Sequence, residues 1–552
     1  MPRPVFSGVT EMDLIRRELL KLAGFGLTTL VTPALLAQGA RAQTAPMPDA
    51  GPGTVFDVRT YGAVGDGKAI DTAAINRAIE AAAAKGGGTV FIPAGSYACY
   101  SIHLKSSVAL YLDEGATILA AETPHDGTSS GYDFAESNAP WEAYQDFGHN
   151  HWHNSLIWGE GLHDIAILGP GLIWGKGLSR GHDDPDLPRA EAQGTGNKAI
   201  ALKNCRNVIL RDFAMLAGGH FAILATGVDN LSIDNVRIDT NRDGIDIDCC
   251  RNVRVSNCSV NAPWDDAIVP KSSFALGHAR ITENVTIANC YVTGDYQLGT
   301  LLDSSFKRFP DDWREPHGWQ RTGRIKCGTE SNGAFRNIAI SNCIFEGCRG
   351  LALETVDGGI LEDVSVTGLT MRDIRNAPLF LRLGARMRGP KEIPIGRLKR
   401  VLISNVTCYA PQNDMPAIIS GIPGHAIEDV KISDCYFLQQ GGGGAETAAL
   451  QPVEEPAEYP EPARFGALPA QHFYLRHVSN IELSHVELQS TSPDARAALW
   501  LDDVKGADFS HLKLPPAAPS FLLNDAVVDF RISQSRGIKD VAIDTAPAST
   551  RI

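Results

Sequence analysis

The chain has 552 residues, 43% of them hydrophobic and 21% charged, a composition that excludes a wholly disordered chain and a collagen-like one. Its formal net charge of −14 excludes a general binder of nucleic acid or of anionic membranes. With 54 Gly and 32 Pro, turns are plentiful and long helices are not expected. We therefore expect no nucleic-acid partner and no membrane anchor.

The N-terminus carries the three-part pattern of an export signal. A twin-arginine motif at 16–17 precedes an apolar region over 22–36, and residues 40–42 are Ala-Arg-Ala, which matches a cleavage site. An ordinary N-terminal helix is the alternative. We expect residues 1–42 to direct export, and residues 43–552 to form a single domain in a periplasmic or secreted monomer.

A capping helix is predicted over about 71–85. Its apolar positions follow the i, i+3, i+4, i+7 spacing of a helix face: Ile75, Ala78, Ile79 and Ala82. Three glycines at 86–88 end the pattern, and a strand follows over 89–95. Because a solenoid needs its ends covered, we interpret this helix as an N-terminal cap.

A short unit of alternating apolar and polar residues recurs nine times, starting at positions 207, 230, 252, 284, 337, 363, 400, 429 and 480. Alternation with period two is typical of a half-buried strand. The sixth residue of each unit is of a type that tolerates the left-handed αL conformation: Asp212, Asn235, Asn257, Asn289, Asn342, Gly368, Asn405, Asp434 and His485. A sharp bend at the same place in every coil lets the coils stack as parallel strands. The sequence predicts an all-β, right-handed parallel β-helix.

Three loop insertions interrupt this repeat, at about 122–154, 306–322 and 441–465. The second is rich in aromatic residues and arginines (Arg308, Phe309, Trp313, Arg314, Trp319 and Arg321), which suits a sugar-stacking wall that closes one end of a groove. The third is rich in Gly, Glu and Pro and is expected to be mobile.

Eleven cysteines in an exported chain suggest disulfides, but the odd number leaves at least one unpaired. Four of them directly follow the αL position: Cys258, Cys290, Cys343 and Cys435. Cys205 and Cys250 lie two residues before a unit. A column of small apolar side chains inside the solenoid is the favoured interpretation, ahead of disulfides.

Three aspartates lie on two consecutive coils. Asp243 stands in the segment NRDGIDID, and Asp265 and Asp266 stand in PWDDAI. Asp243 and Asp265 are separated by one minimal coil, so we expect them to stack. Carboxylates this close raise each other's pKa, which lets one stay protonated as an acid while another acts as a base. A solvated acidic turn is the alternative.

These segments, in this order, resemble glycoside hydrolase family 28, the polygalacturonases and rhamnogalacturonases. The resemblance runs from about Phe56 to at least Leu383, and it includes the segments at 196–205, 324–326 and 353–359.

The resemblance implies a cofactor-free acid/base hydrolysis. Asp265 would protonate the leaving oxygen, Asp243 and Asp266 would hold and activate water with inversion, and Arg324 and Lys326 would bind a substrate carboxylate. Inverting enzymes hold their carboxyls about 6.5–9.5 Å apart, whereas stacked strands are about 4.8 Å apart, so inversion rests on the resemblance.

The remaining candidates contact substrate or support these residues. Gln297 aligns where the family has the His of its Gly-His-Gly motif, which favours a divergent specificity. Asp246 supports the site, Lys271 is an anion contact or a solvated lysine, and His220 contacts a sugar or a turn. Glu330 is a further acid or a surface residue.

His149, His151 and His153 invite a metal interpretation through their alternating spacing, but no acidic or Cys partner is evident nearby. A groove-lining loop is favoured, and we expect no metal site.

The predicted function is hydrolysis of pectic polysaccharides or oligosaccharides, with galacturonan or rhamnogalacturonan as the substrate. A β-helix polysaccharide lyase that uses Ca²⁺ is one alternative. A carbohydrate-binding β-helix without catalysis is the other.

Overall fold

Short parallel strands, stacked coil upon coil, build a right-handed β-helix in the computed structural model. The structure describes residues 54–124, 131–180, 189–314, 321–515 and 519–552. The predicted export signal, the domain boundary at residue 43 and Trp319 lie outside the described residues. The predicted fold is confirmed.

The strands that precede Asp265 and Asp266 are, in chain order, β1 (Val55–Asp57), β2 (Asp66–Ile70), β3 (Gly88–Ile92), β4 (Gly95–Cys99), β5 (Ile102–His103), β6 (Val108–Leu112), β7 (Ala116–Ala120), β8 (Ile157–Glu160), β9 (His163–Leu168), β10 (Leu172–Trp174), β11 (Lys198–Lys203), β12 (Arg206–Arg211), β13 (Ala214–Leu216), β14 (Phe221–Thr226), β15 (Asp229–Asp234), β16 (Arg237–Asp239), β17 (Asp243–Asp248), β18 (Arg251–Ser256) and β19 (Ser259–Asn261). The strands that follow are β20 (Ile268–Lys271), β21 (Thr282–Ala288), β22 (Tyr291–Thr293), β23 (Lys326–Cys327), β24 (Ala334–Ser341), β25 (Ile344–Glu346), β26 (Leu351–Thr355), β27 (Ile360–Arg372), β28 (Leu379–Leu383), β29 (Arg397–Ala410), β30 (Ala417–Ser420), β31 (Ile427–Gln439), β32 (Ala470–Ser490), β33 (Ala497–Ser510), β34 (Phe521–Leu523), β35 (Val528–Ser533), β36 (Val541–Thr545) and β37 (Thr550–Arg551).

One sheet of the solenoid carries the site. Its strands pair in parallel in the order β5, β8, β11, β14, β17 and β20. A bridge from Ile268 to Ile325 continues this sheet into β23, which pairs with β26 and then β28. Side chains that point inward from every sheet form one continuous apolar core from Phe56 to Ile532. The side chains on the outer surface of this sheet are therefore the ones available for chemistry.

The predicted αL positions are confirmed at all nine units, with φ between 52° and 74°. The first residue of every unit is also αL, with φ between 53° and 58°, a second column that the sequence analysis did not identify. Five of these first residues are asparagines whose side chains form a ladder: the amide of Asn230 donates to Asn207 at 2.9 Å, and that of Asn252 donates to Asn230 at 3.2 Å. In each of the nine units, the chain therefore bends at the first residue and again at the sixth.

The cap and the cysteines lie as predicted. Helix α1 (Thr72–Ala84) buries the four predicted apolar residues against the first coils. Asp71 precedes it, but its carboxylate accepts hydrogen bonds from the backbone N–H groups of Val64 and Gly65 instead of capping the helix.

All eleven cysteines are buried free thiols, which confirms the packing interpretation. The helices of the described residues are all too short or too polar to span a bilayer.

Three long segments separate strands in the regions of the predicted insertions, and the second of them begins earlier than the predicted residue 306. The first follows β7 and includes α2 (Phe147–Asn150); the second separates β22 from β23; the third follows β31 and includes α3 (Ala445–Ala448). Instead of being a loose segment, the third is packed on the solenoid. Phe465 is 5% exposed and joins Phe380, Tyr474 and Trp500 in an apolar cluster separate from the main core.

Candidate active site

Three carboxylates converge at the start of β17 and in the turn before β20. At least one oxygen of each of Asp243, Asp265 and Asp266 lies within 4.8 Å of one from each of the others. The register differs from the predicted one, because Ile245 pairs with Ile268 and this places Asp243 level with Asp266. The backbone N–H of Asp266 donates to Asp243 Oδ1 at 3.1 Å. The stacked pair is therefore Asp243 and Asp266, and not Asp243 and Asp265.

The three carboxylates differ in their access to solvent. The side chain of Asp265 is 29% exposed, whereas those of Asp243 and Asp266 are 6% and 4% exposed. Arg242 Nη2 lies 3.1 Å from Asp265 Oδ2 at the surface of the cluster. Asp265 is therefore the carboxyl that a bound sugar can reach most directly.

The electrostatic environment drives the pKa values of the two buried carboxyls apart. Burial alone would raise the pKa of Asp266, but Lys326 at 3.0 Å and Arg324 at 2.9 Å hold it well below its usual value. Burial, followed by the charges of Asp246, Asp265 and Asp266, raises the pKa of Asp243 well above its usual value. Asp266 is thus held ionised, while Asp243 takes up a proton more readily. Such a pair is suited to acid/base chemistry.

Lys271 lies beneath the cluster as a shared counter-ion. Its Nζ donates to His149 Nε2 at 2.9 Å and lies 3.3 Å from Glu330, 3.4 Å from Asp246 and 3.6 Å from Asp243. Burial opposes its charge, but Asp246, Glu330 and Asp243 raise its pKa well above the usual value. Lys271 is only 6% exposed, so it is not the solvated lysine of the alternative, and the anions that it contacts are carboxylates of the protein. Asp246 is fully buried beside it, and its supporting role stays a prediction.

His220 supports Arg242. Its ring stacks on Phe221 with centroids 4.3 Å apart, and its Nε2 accepts from Arg242 Nη2 at 3.1 Å. Burial first, then the charge of Arg242, lowers the pKa of His220 well below its usual value, so the ring stays neutral and can accept. Because His220 is 8% exposed and directed at Arg242, it positions that guanidinium.

Gln297 does not occupy the predicted position. It lies exposed in the second insertion, where its Nε2 donates to the carbonyl of Arg308 at 3.1 Å. The place beside the Asp pair on the next coil belongs to Gly323 and Arg324: Gly323 N donates to the Asp265 carbonyl at 2.8 Å, and the Arg324 carbonyl accepts from Ala267 N. The alignment of Gln297 with the family histidine is therefore wrong, because Gln297 has already left the coil that ends with β22.

Arg324 and Lys326 bind carboxylates of the protein itself. Arg324 is fully buried; its Nε contacts Asp266, and its Nη2 donates to Glu461 Oε1 at 2.6 Å. Lys326 is 4% exposed and contacts Asp266. The expectation that this pair faces a substrate carboxylate is thus not met. Glu461 was missed because it comes from the third insertion, and the sequence gives no sign of where that insertion packs.

The charges of the site argue against a cation at the three aspartates. A cluster of this kind can ligate a divalent ion. Here Arg324 and Lys326 already neutralise Asp266, and Lys271 lies 3.6 Å from Asp243. An additional cation would compete with all three side chains, so this donor set does not favour one.

The three histidines of the first insertion do not converge on one point. His149 contacts Lys271 beneath the carboxylates, and His151 Nδ1 lies 2.8 Å from the Phe147 carbonyl. His153 lies 3.0 Å from Glu160 and 3.6 Å from Glu136, two acidic partners that sequence spacing did not reveal. Lys203 Nζ also lies 3.0 Å from Glu160 and supplies a positive charge there. His149 is 2% exposed and is a buried partner of Lys271, so the groove-lining interpretation stays a prediction.

Comparisons with known proteins agree with this architecture. Residues 55–152 match the family model for rhamnogalacturonase A/epimerase, pectate lyase-like, and residues 188–309 match that for a right-handed β-helix region. A probable polygalacturonase of Vitis vinifera is 22% identical over 341 residues, which cover 57% of this chain and 60% of the relative. An exo-poly-α-D-galacturonosidase of Dickeya chrysanthemi is 26% identical over 453 residues, which cover 73% of this chain and 69% of the relative.

Among solved structures, the family 28 exopolygalacturonase of Yersinia enterocolitica has a TM-score of 0.61 at 18% identity, covering 82% of this chain and 78% of that one. The match to the Vitis vinifera relative spans about 60% of that protein's length. The chain is therefore a right-handed β-helix protein that is similar in sequence to polygalacturonases, and the predicted resemblance is confirmed.

Proposed function

We propose that this protein is an exo-acting glycoside hydrolase of pectic polysaccharides or oligosaccharides. The observation that carries the proposal is the convergence of Asp243, Asp265 and Asp266 within 4.8 Å, with Asp266 held ionised by Arg324 and Lys326. Two carboxyls in different protonation states are the machinery that glycoside hydrolysis requires. The names of the relatives, an exo-poly-α-D-galacturonosidase among them, supply the substrate class.

In the proposed mechanism, one proton is shared between Asp265 and Asp243. With the proton on Asp265, this exposed carboxyl protonates the leaving glycosidic oxygen as the bond to the anomeric carbon breaks. Asp266 orients the attacking water, and Asp243, the more basic of the buried pair, accepts the proton that the water loses. The proton then returns from Asp243 to Asp265 over less than 4.8 Å, which resets the site.

Inversion at the anomeric carbon is part of the proposal and rests on the family relationship. The carboxylate oxygens approach more closely than the about 6.5–9.5 Å that is usual for inverting enzymes. Proton NMR during the early phase of hydrolysis shows which anomer of the product forms first, and this distinguishes inversion from retention. An initial β-product from an α-linked substrate indicates inversion.

Exo action is proposed because each of the three insertions contacts the coils that carry the aspartates or the residues paired with them. The first brings His149 to Lys271, and its Trp141 Nε1 donates to the Ala275 carbonyl just beyond β20. The third brings Glu461 to Arg324. From the second, Gly323 N donates to the Asp265 carbonyl at 2.8 Å. A site bounded by insertions in this way accepts a chain end more readily than the middle of a polymer.

We also propose that the chain is exported before it acts on its substrate, because residues 16–17 carry the twin-arginine pattern. Pectic polymers are too large to enter a cell, so their hydrolysis takes place outside the cytoplasm or on imported fragments. Fractionation of cells that express the full chain, compared with a chain in which both arginines are replaced by lysine, tests this assignment. Retention of the wild-type protein in the cytoplasm would contradict it.

The decisive experiment digests a panel of defined pectic oligosaccharides and identifies the products by mass. We expect the wild-type chain to release terminal residues, Asp265→Asn to lose most turnover, and Asp525→Asn, at an exposed site on one of the last coils, to match the wild type. Unsaturated products together with chelator sensitivity would instead establish a lyase. Binding without turnover by every form would establish a carbohydrate-binding β-helix.

A further inference from the structure

Three cations lie on two neighbouring coils next to Asp266: Arg324 and Lys326 on one, and Arg349 on the next. We call them the cation cluster. Their exposures are 0%, 4% and 7%, so little of their donor surface is open to a ligand. A cluster of this charge beside a catalytic carboxylate is the obvious place to bind an acidic sugar.

The third insertion already supplies a carboxylate to this cluster. Glu461 Oε1 accepts from Arg324 Nη2 at 2.6 Å and from Arg349 Nη1 at 2.8 Å. Glu461 is 5% exposed, and its pKa is below the usual value because Arg324, Arg349 and Lys326 outweigh its burial. An ionised side chain of the protein therefore occupies the bridging position that a substrate carboxylate would need.

The segment that carries Glu461 is fixed on both sides of that residue. Arg382 Nη2 donates to the carbonyls of Glu454 and Glu455 at 2.9 Å each, and Ala385 N donates to the Pro456 carbonyl at 2.6 Å. Just after Glu461, Phe465 is buried in the second apolar cluster. Withdrawal of Glu461 would break these contacts and remove the carboxylate that bridges two buried guanidinium groups, which is costly.

We propose that Glu461 replaces the substrate carboxylate at this subsite, so that the sugar bound beside Asp266 is uncharged. This inference rests on the proposed function and narrows its substrate class. The uncharged unit is either a neutral sugar or a uronate whose carboxyl is esterified. Glu461 is thus a specificity-determining residue that excludes a free uronate from the position next to the three aspartates.

The charges around this subsite also disfavour a free uronate next to the three aspartates. A free uronate here would bring a further carboxylate towards Asp266, Glu461 and Glu354, whose Oε1 lies 3.9 Å from Arg324 Nη2. Carboxylates brought close together where water is excluded disfavour one another, and here Asp266 and Glu461 are the two that nearby cations hold ionised. Tyr459, which is 36% exposed, lies over Lys326 with its ring centroid 5.6 Å from Nζ. Its exposed ring offers an uncharged sugar an aromatic surface.

The experiment compares oligosaccharides of equal length in three forms: free galacturonan, methyl-esterified galacturonan and the alternating rhamnose–galacturonate backbone. Initial rates are measured for the wild type, for Glu461→Gln, and for Glu458→Gln as a matched control on the exposed part of the same segment. We expect the wild type and the control to prefer an uncharged substrate by about tenfold or more in kcat/KM, the effect of one well-formed polar contact. The esterified and rhamnose-containing arms identify which uncharged unit is accepted.

Glu461→Gln is expected to gain about tenfold in affinity for galacturonate, because the cation cluster loses the negative charge that Glu461 supplies to it. Calorimetric titration with galacturonate and with its methyl ester measures this change without turnover. The inference is overturned if the wild type cleaves free galacturonan as well as the uncharged forms, or if the variant gains no galacturonate affinity over Glu458→Gln. If no form cleaves any oligosaccharide, the proposed function fails while the titration still decides the inference. If the variant does not fold, the wild-type comparison decides it.

Discussion

Glu354 lies on β26 behind the cation cluster and has no exposed surface. Burial raises its pKa from 4.5 to about 7, and the nearby charges of Lys326 and Arg324 only partly offset that rise. A carboxyl whose pKa is raised by folding contributes stability that is fully present below its unfolded pKa and is lost as the pH rises through its folded pKa. Glu354 therefore lowers the free energy of unfolding progressively as the pH rises from about 4.5 to about 7, and the loss remains above pH 7.

Glu354→Gln removes this titration while keeping the size of the side chain. The gap between 4.5 and about 7 corresponds to about 3 kcal/mol, so the variant should gain that much stability relative to the wild type between pH 4.5 and pH 8. For a cooperative unit of this size, that gain raises the midpoint of thermal unfolding by about 3 °C. Any fixed offset between Glu and Gln cancels, because the prediction concerns the change of the difference with pH.

The assay is thermal unfolding followed by circular dichroism from pH 4.5 to pH 8. Glu458→Gln is the control, because its carboxylate is exposed to solvent. The difference between this control and the wild type should stay flat across the range. A flat difference for Glu354→Gln as well would refute the reasoning, since it would mean that the buried carboxyl ionises as easily in the folded chain as in the unfolded one.

Three further predictions concern the aspartate cluster. Asp265→Asn should lower kcat on natural glycosides by about 10²–10⁴, and much less on an aryl glycoside, whose leaving group needs no proton; equal losses on both substrates would remove Asp265 from the acid role. Asp266→Asn should destabilise the fold by about 3–5 kcal/mol in thermal unfolding, because Arg324 and Lys326 would remain buried without their shared anion; an unchanged midpoint would contradict this. Treatment with EDTA should leave the rate of product release unchanged, since protein cations already neutralise the cluster; a loss of activity that Ca²⁺ restores would point to the lyase.

The repeating features of the fold were predictable from the sequence, because every coil obeys the same local rule. An αL bend requires Asn, Asp, Gly or a similar residue wherever it occurs, so nine units carry the same class of residue at their sixth position. The column of αL residues that opens each unit follows the same rule and could have been found from the asparagines at 207, 230, 252, 284 and 337. The free cysteines were predictable for the same reason, since their positions relative to the bend place them inside the solenoid.

The errors in the site arose where the chain leaves the repeat. A one-residue difference in register put Asp266 instead of Asp265 beside Asp243, and coil length counted along the sequence cannot detect it. The segment that follows β22 leaves the coil after Thr293, before the predicted insertion at 306–322, so Gln297 was aligned with a place that Gly323 and Arg324 occupy. Insertions have no repeat to align against, so their length alone does not show how many coils they contain.

The sequence by itself determined that this chain winds into a β-helix and that three aspartates and a cationic pair share its surface, because these follow from local conformation and from the spacing of successive coils. Only the tertiary structure decided what those charges do. Contacts between residues more than a hundred positions apart brought His149 to Lys271 and Glu461 to Arg324. Ionisation in a buried site depends on every charge within a few ångströms, and that neighbourhood exists only once the insertions have packed onto the coils.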